Sequence, residues 1–151
     1  MNALTSPISQ QPTLAQVAGD LHHARQVLER TLGVVRTHAR LATDPQVIGK
    51  FGDLWIRIDV AAALLERAEH IAAGGQDAAE KVIAVAEASI ASSDALAQVG
   101  QVELELTGQR SEWPPSHDPL QDPLHLKYRL IGDFRLNGVV PPDARSAVDV
   151  P

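Results

Sequence analysis

The chain contains no cysteine, one methionine and few aromatic residues. Each shortage closes off a class of protein. Without cysteine there is no disulfide framework, no thiolate zinc site and no cysteine nucleophile. The only methionine is Met1 and no Cys-x-x-Cys-His run occurs, so a haem site has no support among the usual ligands. Aromatics are 3% of residues while alanine is abundant, which favours closely spaced helices over strands packed on aromatic rings. A basic excess is also missing. At a net charge of −6 the chain carries no electrostatic footprint for nucleic acid or for an anionic membrane surface. The segment Met1 to Pro12 has neither the basic start nor the apolar run of a signal peptide, and no apolar stretch reads as long enough to span a bilayer. A cytoplasmic protein is the expectation. Phosphate-cradling glycine loops and dinucleotide fingerprints are absent as well.

What is present reads as an all-α protein. At 151 residues the chain is expected to form one domain, long enough to bury roughly 68–70% of the surface its unfolded form exposes. Thr13 is placed to cap a first helix whose apolar row, Leu14, Val17, Leu21, Ala24, Leu28, Leu32 and Val35, keeps helical spacing to about Leu41. Gly33 inside it marks an expected close helix contact, since glycine there costs up to about 1 kcal/mol relative to alanine. Ala42-Thr43 then turns the chain into the most apolar stretch, Asp44 to Gly75. Here Val47, Ile48, Phe51, Leu54, Trp55, Ile58, Ala62, Leu65 and Ala72 form one row, and Ile56, Val60, Ala63, Leu64 and Ile71 widen it. So wide a face predicts a central helix, capped by Asp44, started by Pro45 and closed by Gly74-Gly75.

Asp77 and Glu80 have the spacing of a capping pair for a third helix over roughly Ala78 to Thr107. Its principal row is Val82, Ala86, Ile90, Ser93, Leu96, Gly100 and Glu103, with Val85, Val99, Val102 and Leu106 beside it. Such small residues let another backbone approach closely, in this subunit or in a second one. Gly108 ends it, and the prolines between Gln109 and Leu120 make a loop. Asp122-Pro123 restarts a shorter helix with Leu124, Tyr128, Ile131 and Phe134 or Arg135 as its stripe, closed by Asn137-Gly138. The predicted fold is an up-down-up-down four-helix bundle over residues 13–138, with a disordered lead over 1–12 and an extended tail over 139–151.

Candidate chemistry is sparse. Among the six histidines, His22 and His23 point about 100° apart and cannot share a helix face. A di-iron bundle needs Glu-x-x-His on two helices, and Arg67 occupies the position three before His70, so no metal site is expected. Arg36, His38 and Arg40 cluster at the end of the first helix, where cations are favoured by about 0.3–1 kcal/mol; an anion site is the sharper alternative. Asp53 with Arg57 and Glu66 with His70 read as surface pairs. The run Gly108-Gln109-Arg110-Ser111 follows directly on a long helix, where glycine frees backbone groups and an arginine grips phosphate or carboxylate. His117, Asp118, Asp122 and His125 crowd the next segment. An N-cap role accounts for Asp122, and no nucleophile stands beside them, so no catalytic residue is assigned.

Three stretches resemble a known group. Glu105-Leu106-Thr107-Gly108-Gln109-Arg110-Ser111, then Asp122-Pro123-Leu124-His125-Leu126-Lys127-Tyr128, then Ile131-Gly132-Asp133-Phe134-Arg135-Leu136-Asn137-Gly138-Val139-Val140-Pro141-Pro142, are similar to the end of flavin-dependent monooxygenases of the acyl-CoA dehydrogenase fold. The sulfone and dibenzothiophene monooxygenase branch is the nearest. Val35 to Arg40, Asp44-Pro45 and Phe51 to Ala68 are similar to the first two helices of the same domain, so the likeness covers about Leu14 to Pro142. The resemblance implies a C-terminal helical domain that oligomerises and covers part of an FAD or FMN. It implies Arg36 on the flavin diphosphate, Gly108 at the turn that meets the cofactor from a neighbouring subunit, and Arg110 beside it. Partners implied are further copies of the chain or a full-length flavoprotein, with no nucleic acid and no membrane. The family's N-terminal and β-domains have no counterpart here, Gln109 replaces the second glycine of the turn, and Gln121 stands where the family has a histidine. The chain alone is therefore expected neither to hold flavin nor to turn over substrate. A non-catalytic, homo-oligomeric helical scaffold is the alternative.

Overall fold

The computed structural model describes residues 12–75, 77–111, 116, 120 and 122–140. Among them are five helices and no strand: α1 (Leu14–Arg36), α2 (Ala39–Ala42), α3 (Pro45–Ala73), α4 (Ala78–Thr107) and α5 (Leu124–Asn137). Of the segment 1–12 only Pro12 is described, and it is buried; of the tail, Val139 and Val140 are described, and Val140 is buried. The remaining residues of both lie outside the described set.

Helix ends follow local chemistry. The Thr13 hydroxyl accepts from the Gln16 N–H while the Gln16 side chain accepts from the Thr13 N–H, a reciprocal box that satisfies two free donors. Asp44 caps α3 through the N–H groups of Gln46 and Val47, with Pro45 at the first helical position. Asp77 caps α4 through the Ala79 N–H. Gly75, Gly108 and Gly138 take positive φ, the left-handed exit that glycine adopts without a Cβ clash. One expected end moves. The first helix stops at Arg36 and not near Leu41, because Thr37 Oγ1 donates to the Val34 carbonyl at 2.7 Å and His38 Nδ1 sits 2.9 Å from the same oxygen. These side chains compete for the carbonyl that the next turn would use. Gly33 is exposed with open space where a Cβ would stand, so the expected close contact there is not made.

The long helices α1, α3 and α4 pack on one another, and α5 packs on α4 and on no other helix. Direction is read from the ion pairs. Lys50 with Glu105, Arg57 with Asp94 and Arg67 with Glu87 descend along α4 as they climb α3, so these two run antiparallel. Arg30 near the end of α1 meets Glu103 near the end of α4, so α1 and α4 share a direction. Lys127 meets Ser89 and Arg135 meets Glu87, so α5 runs back along α4.

The central helix is α4, and this corrects the expectation for Asp44–Gly75. Its core row is Ala84, Ala88, Ala95, Val99 and Val102, set round from the row expected to lead, and the alanines allow α1 and α3 to approach together. With neighbours on three sides, α4 needs apolar residues nearly all round. By length and composition it is therefore also apolar enough to cross a membrane, against the reading that no stretch is, and half of that window is buried inside the fold. In α3 the buried row is Val47, Phe51, Leu54, Ile58, Ala61, Leu65, Ala68 and Ile71. Ile48, Trp55, Ile56 and Val60 face outward, with Ile56 65% exposed. Periodicity cannot tell an apolar face that has a neighbour from one that has none.

Candidate functional site

Arg36, Gly108 and Arg110 gather at one end of the molecule. Arg36 follows Arg30 on α1 and Gly108 follows Glu103 on α4, and the Arg30–Glu103 pair sets those two helices level. His38 and Arg40, in the α1–α3 connection, lie at the same end. All of them are exposed, and among the described residues Arg36 and Arg110 make no ion pair. Gly108 takes φ 71° and its N–H donates to the Leu104 carbonyl, so that donor closes the helix and is not directed outward. What the structure brings together here is a set of solvated cations at helix C-termini, where the helix dipole favours positive charge.

Beneath this end a buried carboxylate organises the turn. Glu103 is 4% exposed and accepts from Arg30 Nε at 3.1 Å, Arg30 Nη2 at 2.7 Å, the Ser111 N–H at 2.8 Å and the Ser111 hydroxyl at 2.6 Å. Charge-assisted bonds in this number satisfy a carboxylate that would otherwise be costly to bury. They fold the chain after Gly108 back onto α4, which fixes where Arg110 emerges. Asp20, also 4% exposed, accepts from the Ser116 N–H at 3.3 Å and its hydroxyl at 2.5 Å, tying the same connection to α1. His117 and Asp118 fall outside the described residues, so their expected cluster with Asp122 and His125 is not described.

Asp122 does not cap α5. The N-cap is Pro123, without a side-chain bond, and the Asp122 carboxylate instead lies 2.6 Å from Lys127 Nζ. That contact lies off the direction of a hydrogen bond, so its attraction is electrostatic. Lys127 Nζ also donates to Ser89 Oγ at 3.1 Å, and all three residues are buried. A serine beside a lysine can act as a nucleophile with its base, but Ser89 is 3% exposed and its oxygen is enclosed beneath Lys127 while α5 lies on α4. Asp122 was expected only as a cap, and Lys127 and Ser89 were not singled out, because polar side chains on helices read as surface. The signal was spacing: Lys127 stands three before Leu130, four before Ile131 and seven before Phe134, the half-buried side of α5. Leu124 and Tyr128, expected in that stripe, are exposed.

Among the described residues no group of three or more histidine, aspartate or glutamate side chains is arranged to hold a metal ion. Along the α3–α4 edge, Arg57 holds Asp53 at 2.7 Å and Asp94 at 2.6 Å, and these bonds, Asp53 first, raise its guanidinium further above its ordinary range. Lys50, with Gln101 behind it, lowers the Glu105 carboxyl below the usual carboxylate range. These exposed pairs fix the register of α3 on α4 more than they stabilise it.

The largest unexplained feature is the outer side of α3. Ile48, Ile56 and Val60 are half exposed or more and Trp55 is 41% exposed; Gly49 and Gly52 lie beside them with open space where side chains would stand. A contiguous apolar strip of this kind marks an interaction surface more often than scattered apolar residues do. Comparison of the chain with protein-family models, with curated proteins and with solved structures finds no match.

Proposed function

We propose that this chain is a helical association module: an oligomerising or flavin-covering part of a flavin-dependent oxidoreductase of the acyl-CoA dehydrogenase type, not catalytic by itself. In this reading α1, α3, α4 and α5 are the four helices of an up-down-up-down bundle, and the antiparallel order of α3 on α4 and of α5 on α4 supports that topology. The observation that carries the proposal is the outer strip of α3, where Ile48, Trp55, Ile56 and Val60 stand uncovered. An isolated helix bundle gains nothing from such a strip, whereas a subunit interface buries it. Arg36 and Arg110 would then present guanidinium groups to a flavin diphosphate, for which their planar forks are suited, and Gly108 would hold the turn between them.

The test is titration of the chain with FAD and with FMN, alone and together with a full-length flavoprotein of that fold, with mass measured alongside. The proposal expects no flavin uptake alone and a yellow complex of increased mass with the flavoprotein. A chain that never joins the flavoprotein contradicts the flavin reading. The same uncovered strip also favours a second reading, a homo-oligomeric scaffold without cofactor, which expects increased mass in the chain alone and no colour under any condition.

A further inference from the structure

We propose that α5 is a strap that opens off α4 while the rest of the fold stays closed, and that its buried lysine keeps it releasable. This rests on the α4–α5 seam alone and is independent of any flavin. α1 and α3 each bury eight residues and α4 buries eleven; α5 buries one, and that one is Lys127. Leu130, Ile131 and Phe134 are half-buried, while Leu124, Leu126, Tyr128 and Leu136 are exposed. Val140, just past the helix, is buried as well.

Lys127's partner decides the balance. Asp122 lies two residues before α5 and travels with it, so the Lys127–Asp122 pair is carried by the strap and does not join it to α4. Docking must strip water from both charges, a cost that their mutual attraction often fails to offset. What the pair shares with α4 is one hydrogen bond, from Lys127 Nζ to the neutral Ser89 hydroxyl. An apolar side chain at 127 would instead gain from burial.

The second attachment is equally easy to release. Arg135 reaches Glu87 at 3.1 Å and Glu80 at 3.7 Å, both exposed contacts of small worth. Arg67 of α3 holds the same two carboxylates at 2.5 Å and 3.8 Å, so when Arg135 leaves, neither glutamate is stranded without a cation. On α4, Val82 and Ala86 share the side of Ser89 and are buried, yet they stand apart from the core cluster formed with α1 and α3. Opening the strap uncovers them and leaves that core intact.

Hydrogen exchange of the full chain, resolved by peptide, tests this. Amides of α5 are expected to exchange at least about tenfold faster than those of α4 between Ala84 and Val102, through an opening that denaturant accelerates less than it does exchange of the α4 core. The double variant Lys127→Met, Asp122→Asn should slow α5 exchange by about tenfold and leave the α4 amides unchanged. Ser89→Ala, which removes the one bond between the pair and α4, should speed α5 exchange severalfold with the core amides again unmoved, and it serves if the double variant does not fold. The proposal is overturned if α5 and the α4 core exchange in step, if the double variant leaves α5 exchange unchanged or speeds it, or if Ser89→Ala leaves it unaltered.

Discussion

α3 and α4 are nearly equal in length, at 29 and 30 residues, and both are rich in apolar side chains, yet they occupy opposite situations. α4 is enclosed by α1, α3 and α5; α3 is covered on one side and bare on the other. The difference lies in side-chain size. α4 meets its neighbours through Ala84, Ala88 and Ala95, which let several helices crowd one axis. α3 carries Ile48, Trp55, Ile56 and Val60 on a side where no part of the described chain arrives. A helix that is apolar all round is therefore central only when its residues are small enough to admit the neighbours. When they are large, part of the apolar face stays exposed, as at Ile56 and Val60.

The largest difference between the two sides of α3 is expected at two isoleucines two positions apart. Ile58 is 1% exposed and Ile56 is 65% exposed. Ile58→Ala should cost about 2–5 kcal/mol in urea unfolding, because it leaves a cavity among the three long helices, while Ile56→Ala should stay within about 0.5 kcal/mol. Equal costs would mean that the outer face is covered. Next in size is Arg30→Ala, which leaves the buried Glu103 carboxylate with only Ser111 as donor. A loss of about 1–3 kcal/mol is expected, with faster exchange of amides at residues 108–111. Ser92→Ala should act in the opposite direction, raising stability by about 1 kcal/mol, since the Ser92 hydroxyl is fully buried on α4 without a hydrogen-bond partner among the described residues.

The smallest effect concerns pH. The Lys50 bond lowers the Glu105 carboxyl, so its contribution to stability is fully present above the ordinary carboxylate range and is lost as pH falls through the lowered folded-state value. Glu105→Gln should accordingly flatten the acid side of the curve of urea midpoint against pH and leave the neutral side little changed. A steeper acid limb in the variant would contradict the assignment.

Elements whose causes are local could be read from residues alone. Asp44-Pro45, Asp77, Gly108 and Asn137-Gly138 bound their helices as expected, because caps and left-handed exits are decided within a turn of chain. The stop at Arg36 was not legible, since no glycine or proline marks it and the work is done by the Thr37 and His38 side chains. Nor was the rank of the helices, because burial depends on which neighbours arrive, and amphipathic rows in α3 and α4 look alike. At the candidate site, Arg36, Gly108 and Arg110 do come to one end, as helix direction demanded. The polar contacts of Glu103, Asp20 and Lys127 were not legible, because their partners lie far along the chain: Arg30, Ser116 and Ser89.

If the outer side of α3 is a contact surface, as proposed, the mass measured by light scattering depends on its exposed side chains. The wild-type chain and an Ile56→Glu, Val60→Glu variant are compared, each alone and with a full-length flavoprotein of the acyl-CoA dehydrogenase fold. The wild type is expected to exceed its 16.2 kDa chain mass in at least one condition, while the variant keeps its helical content and remains a monomer in both. A wild-type chain that stays at 16.2 kDa in both conditions, or a variant that associates as the wild type does, contradicts it.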